Sequence, residues 1–361
     1  MGQANLNRNR AGGFSLVELM LALALGLIVV TGIVQLFVGN TQTYNILNGQ
    51  ARLQENGRFA LEFISRAARE AGYFGCANAQ ENIVWALTAG NVDNSNLTPE
   101  FDIRRPVHGV DNVAGSGDLG TYPTLTANSY IPANGIDADA VVVGTDVLAV
   151  RSMETPGWRL MQELFPTGAN SNPRIVDTTA IQVGDIVMVS NCEQAAVFRV
   201  TGMPGGGGNT VFLQHAVAGG GLFSNQLANI SSIGRTYQED TLVGRVQGTF
   251  FFIAEGAGLD NQGNPPLALW QKVGRNAPVE LVQGVEDLQV LYGIDTTLND
   301  GIPNANEYVI ADDLDIDDAN VVSLRIMVTV NSVDAVTEDG QVLRRTFSKT
   351  ILLRNADPEA A

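Results

Sequence analysis

Residues 13–38 read GFSLVELMLALALGLIVVTGIVQLFV, and this stretch decides the class of the chain. As an α-helix it would extend about 35–40 Å, which exceeds the roughly 30 Å of a bilayer's hydrocarbon core. Its only charged residue is Glu18. Because a carboxylate near the centre of such a span costs roughly 2–3 kcal/mol or more, we expect Glu18 to have a partner. The alternative is an ordinary signal anchor with a glutamate near the interface.

The polar residues 1–13 before this span indicate its orientation. Arg8 and Arg10 lie close to the apolar run, which is typical of a flank retained in the cytoplasm. The small residues of a secretory cleavage site follow the apolar region, whereas Gly12 and Gly13 precede it here. Cleavage after Gly13 would therefore leave the apolar helix on the mature chain, with Phe14 as its first residue.

The sequence GFSLVELM at 13–20 resembles the type III signal of type IV pilins and related pseudopilins. The resemblance implies that a prepilin peptidase cleaves between Gly13 and Phe14 and that Phe14 is then N-methylated. It also implies that Glu18 sets subunit register during assembly. A carboxylate buried in lipid could be compensated by the terminal ammonium of Phe14 on a neighbouring subunit, which gives that role a physical basis.

Other patches of the chain are similar to the PilW family of minor pilins, whose nearest relatives are the J-type pseudopilins of type II secretion. These patches are ARLQENGRFALEFISRAAREAGYFGC at 51–76, VSNCEQAAVFRVTG at 189–202, LWQKVGRNAPVELVQGVEDLQVLYGID at 269–295, VVSLRIMV at 321–328 and RRTFSKTILLRN at 344–355. The resemblance implies a minor pilin of a bacterial type IV pilus that acts in a priming or tip complex.

The same resemblance implies a set of partners and a location. The partners are other minor pilins (PilV-, PilX- and FimU-like), the major pilin, the prepilin peptidase and a possible tip adhesin. The location is the inner membrane, with the C-terminal domain in the periplasm and the subunit later incorporated into the pilus. A J-type pseudopilin and a membrane-anchored periplasmic protein that never polymerises are the alternatives.

Composition limits the functions open to the chain. Its 361 residues carry a formal net charge of −17, which argues against nucleic acid as a partner. The two histidines are His108 and His215, and no nucleophile is recognisably paired with a base. The sequence therefore predicts a protein that is not an enzyme.

The predicted fold class is α+β and pilin-like, with a long N-terminal helix packed on an antiparallel sheet. We divide the chain into a leader (1–13), a transmembrane helix (14–38), an amphipathic half of the same helix (39–72) and a β-rich domain (73–361). Residues 73–139 connect the helix to the sheet. The helix is expected to continue to about residue 71, because no proline interrupts 14–71.

Beyond residue 40 the helix becomes amphipathic. Its apolar side is formed by residues at steps of three, four and seven, namely Leu53, Ala60, Ile64, Ala67 and Ala71. Its opposite side has charges at steps of four, which are Arg58, Glu62, Arg66 and Glu70. The sequence therefore predicts one face for packing and one for solvent.

Short β-rich runs follow the helix. The predicted strands are 140–150, 186–190, 196–201, 210–214, 242–253, 288–292, 321–330 and 345–353. A short helix is expected near 83–87.

The two cysteines, Cys76 and Cys192, would reach an oxidising compartment if the chain is exported. A disulfide between them is therefore predicted, with two buried thiols as the alternative.

No cofactor is predicted, although one loop carries hard oxygen ligands suited to Ca²⁺. Asp295, Asn299 and Asp300 are weak calcium candidates in YGIDTTLNDGIPNANEY at 292–308. Thr297 stands where an acid is expected, and Gly301 comes one place late for an EF-hand loop. A solvated acidic hairpin is the alternative.

Overall fold

A computed structural model of the chain describes residues 15–75, 83–87, 106–113, 141–154, 157–165, 171–191, 193–217, 225, 236–239, 241–274, 276–297, 304–313, 321–337 and 339–355. One long N-terminal helix leads into a large domain of mostly antiparallel strands. The predicted α+β, pilin-like fold class is confirmed.

Helix α1, Leu16–Glu70, has 55 residues and is therefore about 80 Å long. It ends in a tight turn in which the Tyr73 N–H donates to the Glu70 carbonyl at 3.1 Å. Gly72 has a φ of +72° in that turn, a conformation that favours glycine. The predicted end of the helix near residue 71 is confirmed.

Fifteen strands follow in the described residues. They are β1 Ile83–Trp85, β2 Val107–Val110, β3 Val147–Met153, β4 Trp158–Arg159, β5 Arg174–Val176, β6 Ile186–Ser190, β7 Ala195–Arg199, β8 Thr210–Phe212, β9 Leu242–Glu255, β10 Leu267–Val273, β11 Val279–Gln283, β12 Val285–Ile294, β13 Glu307–Val309, β14 Val321–Asn331 and β15 Arg344–Leu352. A 3₁₀ turn covers Ala311–Asp313.

The strands form two main sheets. The first has the order β1-β7-β6-β9-β10-β11, with β3 and β4 also pairing with β9, and β2 with β3. The second is β13-β12-β14-β15 and is antiparallel throughout. Strands β5 and β8 form a small separate pair.

Each predicted strand overlaps an observed one, but the short helix expected at 83–87 is wrong. Residues Ile83–Trp85 form β1, which pairs in parallel with β7. Ile83 and Val84 are β-branched and favour extended backbone, and pairing with a buried strand outweighs any local helical preference. The sequence reasoning also missed strands β2, β4, β5, β10, β11 and β13.

The apolar side predicted for α1 is the side that packs. Leu53, Ala60, Ile64 and Ala71 are buried, and Ala67 is half-buried against the same core. This core also contains inner residues of β3, β9 and β10 from the first sheet and of β12, β14 and β15 from the second. The four charged residues on the opposite side of α1 are exposed, as predicted: Arg58, Glu62, Arg66 and Glu70.

Candidate assembly surface

The N-terminal half of α1 is an uncovered apolar surface. Its large apolar side chains between Leu16 and Val38 are each more than half exposed. By length and composition the helix could cross a membrane. A continuous exposed apolar surface of this size indicates a site that lipid or another protein covers.

Glu18 lies in the first turn of this surface and forms a capping box with Ser15. The Ser15 hydroxyl oxygen accepts from the Glu18 N–H at 3.3 Å, and a Glu18 carboxylate oxygen accepts from the Ser15 N–H at 3.2 Å. The carboxylate is therefore held at the positive end of the helix dipole. The S-x-x-E pattern signals such a box, but the sequence reasoning overlooked it. Gly13 and Phe14 lie outside the described residues.

The helix enters the domain at Gly49, where the loop between β14 and β15 meets it. A Cβ atom at Gly49 would lie 3.2 Å from Ser332 Cβ and from Val336 Cγ1. One turn later, Arg52 forms an ion pair with Asp334 at 3.3 Å. Asn261, from the β9–β10 hairpin, donates its N–H to the same Asp334 carboxylate at 3.1 Å. These contacts hold the β14–β15 loop against α1 where the helix enters the domain.

Strand β15 lies directly on α1. A Cβ atom at Gly57 would come within 2.4 Å of two ring carbons of Phe347, so this site admits only glycine without a shift. Lys349 forms an ion pair with Glu62 at 3.6 Å. The charged side of α1 therefore contacts this strand in addition to solvent.

Both cysteines predicted to pair, Cys76 and Cys192, lie outside the described residues. Their described neighbours do meet, because a Cβ atom at Gly75 would lie 2.9 Å from Ser190 Oγ and 3.2 Å from Ser190 Cβ. The chain just before the first cysteine is thus adjacent to the chain two residues before the second.

Asp295 is the one calcium candidate among the described residues, and it is 2% exposed. Donors from its own loop form hydrogen bonds to its carboxylate. Its carboxylate accepts from the Asn304 N–H at 2.9 Å, and from the Thr297 N–H and hydroxyl at 2.9 Å each. These donors, the Asn304 N–H first, lower the pKa of Asp295. Asn299 and Asp300 lie outside the described residues. Within the described chain no group of three or more His, Cys, Asp or Glu side chains could hold a metal ion.

His215 has a structural environment. Its Nε2 lies 2.9 Å from the Ser171 carbonyl oxygen, and its ring packs edge-on to Phe198. Burial lowers its pKa, so the ring is neutral near pH 7 and donates this bond. His108 lies on β2, in another part of the first sheet.

Two families match parts of the chain. The family described as Type IV Pilus-assembly protein W matches residues 251–355, which extend from within β9 past the end of β15. The family described as the Prokaryotic N-terminal methylation motif matches residues 8–34. No curated protein and no solved structure matches the chain.

These two matches support a PilW-type minor pilin and confirm that part of the resemblance. They link the chain to type IV pilus assembly, which is a structural activity, and they fit a membrane-anchored pilin. The similar patches at 51–76 and 189–202 lie outside the matched residues, and their assignment stays a prediction.

Proposed function

We propose that this chain is a minor pilin that acts in type IV pilus assembly, in a priming or tip complex with other minor pilins. The observation that carries the proposal is the uncovered apolar half of α1 with Glu18 in its first turn. The two family matches support it, because one covers this helix start and the other covers residues 251–355 of the domain. The role is structural, with the major pilin and a possible tip adhesin as further partners and no nucleic acid.

In this proposal the prepilin peptidase removes residues 1–13 by cleavage between Gly13 and Phe14, and Phe14 becomes N-methylated. Residues 14–38 then anchor the subunit in the bacterial inner membrane, and 39–72 extend the helix out of it. Residues 73–361 lie in the periplasm, with 73–139 as the connection between helix and sheet, until the subunit enters the pilus.

The capping box suggests how Glu18 sets register. It holds the carboxylate beside the helix start, where the terminal ammonium of Phe14 from a neighbouring subunit would arrive. Within lipid an unpaired carboxylate is costly, so the subunit position that pairs the two charges is favoured over others.

Substitutions at Glu18 can separate its charge from its capping role. Glu18→Gln keeps a side chain that completes a capping box but removes the charge. Ser15→Ala removes the cap, at a cost of about 0.5–2 kcal/mol, and keeps the charge. We expect both variants to insert and be cleaved, with piliation retained in Ser15→Ala and reduced at least about tenfold in Glu18→Gln, since an unpaired ammonium in lipid costs well over 1.4 kcal/mol. Normal piliation with Glu18→Gln would contradict the proposal.

A disulfide between Cys76 and Cys192 is part of the proposal. The contact between Gly75 and Ser190 supports it, because half-cystine Cα atoms must lie within about 7 Å of each other. In the chain-entropy model a loop of this length contributes roughly 4–5 kcal/mol to the free energy of unfolding. Alkylation of the protein after denaturation without reductant, read by mass spectrometry, is expected to leave both thiols unmodified; alkylation of both would rule out the bond.

A further inference from the structure

Strand β15 forms an open edge of the second sheet. It pairs with β14 through nine consecutive residue pairs, from Ser323↔Leu352 to Asn331↔Arg344, with no bulge. No strand in the described part of the chain pairs with its other side. The strand contains no proline, and its nine residues RRTFSKTIL include β-branched and aromatic side chains that suit a strand.

The register shows which groups point outward. The Leu353 N–H donates to the Val322 carbonyl at 2.9 Å, so this pair is of the hydrogen-bonded kind. Because the two kinds of pair alternate along an antiparallel ladder, the odd-numbered residues of β15 direct their N–H and C=O groups to β14. The even-numbered residues direct theirs away from the sheet. These are Arg344, Thr346, Ser348, Thr350 and Leu352, and their side chains are exposed.

The other sheet edges in the described residues are much shorter. Strand β11 has five residues, β13 has three and β1 has three. Short edges are one means by which proteins avoid unwanted strand pairing, and β15 lacks that protection. Its remaining protection is positive charge, so the edge is restricted to a partner that tolerates or requires that charge.

Charge indicates the kind of partner. Residues 341–355 carry four cationic side chains and no acid, in a chain of net charge −17. Arg344 pairs with Glu286, and Lys349 with Glu62. Arg345 stacks on Phe347 and has no acidic partner among the described residues. A second copy would place one basic strand beside another, whereas an acidic strand would be attracted.

Position indicates where that partner comes from. The inner face of β15 rests on α1, through Phe347 against Gly57 and Lys349 against Glu62. The edge therefore lies beside the helix whose apolar half is proposed to pack with other subunits. Packing of neighbouring helices would bring a second domain alongside this edge at high effective concentration.

We propose that the outer edge of β15 binds a β-strand of a neighbouring, different pilus subunit, one that carries acidic side chains opposite Arg345. The inference rests on the proposed pilin function. Hydrogen bonds from the outward N–H and C=O groups extend the second sheet across the subunit boundary, as in β-strand addition.

Amide hydrogen exchange on the full-length chain, alone in detergent and co-purified with the other minor pilins, tests the pairing residue by residue. The outward amides of Thr346, Ser348 and Thr350 are expected to exchange fast in the isolated chain. In the complex they should slow by about fivefold or more, because one added hydrogen bond contributes about 1 kcal/mol net. The inward amides of Phe347 and Lys349 should be protected in both samples.

A pair of substitutions at Ser348 provides the matched control. Ser348→Pro removes an outward N–H without removing a bond to β14, which an edge strand tolerates. Ser348→Ala keeps that N–H. The proline variant is expected to lose co-purification while the alanine variant retains it, with equal thermal unfolding of the two isolated proteins. If the two isolated variants unfold at different temperatures, the hydrogen-exchange experiment decides instead, because it needs no substitution.

The outcomes separate this inference from the proposed function. A complex in which the outward amides exchange as fast as in the isolated chain overturns strand addition at β15 and leaves the pilin function standing. Failure of the wild-type chain to co-purify with any minor pilin contradicts the proposed function itself.

Discussion

Replacement of Gly57 by alanine tests how closely α1 approaches the domain. The added Cβ atom would lie 2.4 Å from two carbons of the Phe347 ring, more than 1 Å inside the usual carbon–carbon separation of about 3.5–4.0 Å. The ring has to move, and Arg345 stacked over it at 5.2 Å from the ring centroid restricts that movement.

Two terms of opposite sign decide the result. Alanine is the better helix former by about 0.8–1 kcal/mol, which favours the variant. Overpacking of this kind typically costs about 1–3 kcal/mol. Since the ring contact is far shorter than van der Waals distance, we expect the steric term to dominate and the free energy of unfolding to fall by about 1–2 kcal/mol.

Denaturant unfolding of the full chain in detergent measures this, with fluorescence of the three tryptophans as the signal. Gly39→Ala is the matched control on the same helix, because a Cβ atom there meets nothing within 4 Å. Adding Phe347→Leu to Gly57→Ala should recover part of the lost free energy of unfolding, because leucine is smaller and leaves room for the added Cβ atom. Equal stability of the Gly57→Ala and Gly39→Ala proteins would refute the close approach of helix and strand.

Two further predictions concern charged groups inside and at the surface of the domain. Burial raises the pKa of Asp146 to about 6, so its contribution to the free energy of unfolding is present below about pH 4 and is lost as the pH rises through 6. When the free energy of unfolding is measured against pH, Asp146→Asn should flatten the slope between about pH 4 and 6. An unchanged slope would exclude Asp146 as its cause. Arg245 donates to both carboxylate oxygens of Glu154, at 2.7 and 2.8 Å, with both side chains mostly buried. Arg245→Met should therefore lower the free energy of unfolding by about 1–3 kcal/mol. Arg52→Ala, in the exposed pair with Asp334, should lower it by less than about 1 kcal/mol. Equal losses would show that burial does not determine how much each ion pair contributes to stability.

The helix was predictable because its signals are local. An apolar run and side chains repeated at steps of three and four fix its length and its packed face without knowledge of the rest of the chain. The capping box was equally readable, since Ser15 and Glu18 are three residues apart. Strands β6, β9 and β14 were found because each is rich in apolar and β-branched residues.

Features that depend on distant contacts were not predictable. Strand β10 contains Lys272, which is fully buried and donates to the Gly274 carbonyl. Because a lysine is usually exposed, its presence in the sequence did not indicate a strand of the core. The Asp295 loop resembled a cation site because its sequence does not show that Thr297 and Asn304 supply donors to the carboxylate. The contact between Gly57 and Phe347 joins residues nearly three hundred positions apart.

In the proposed pilus, selection among subunits has to come from polar contacts rather than from the apolar helix. When α1 moves from a bilayer to a filament, lipid tails and neighbouring helices cover its side chains about equally well, so little hydrophobic energy is gained. In the same proposal Glu18 favours a register, but a glutamate at this position is common to any subunit with the same signal. The β15 edge offers five residues with outward N–H and C=O groups, and at about 0.5–1.5 kcal/mol net for each hydrogen bond even three bonds distinguish a matching strand from its absence by tenfold or more. In this proposed arrangement the helix would concentrate subunits in the plane of the membrane, and the edge strand would determine which of them become neighbours.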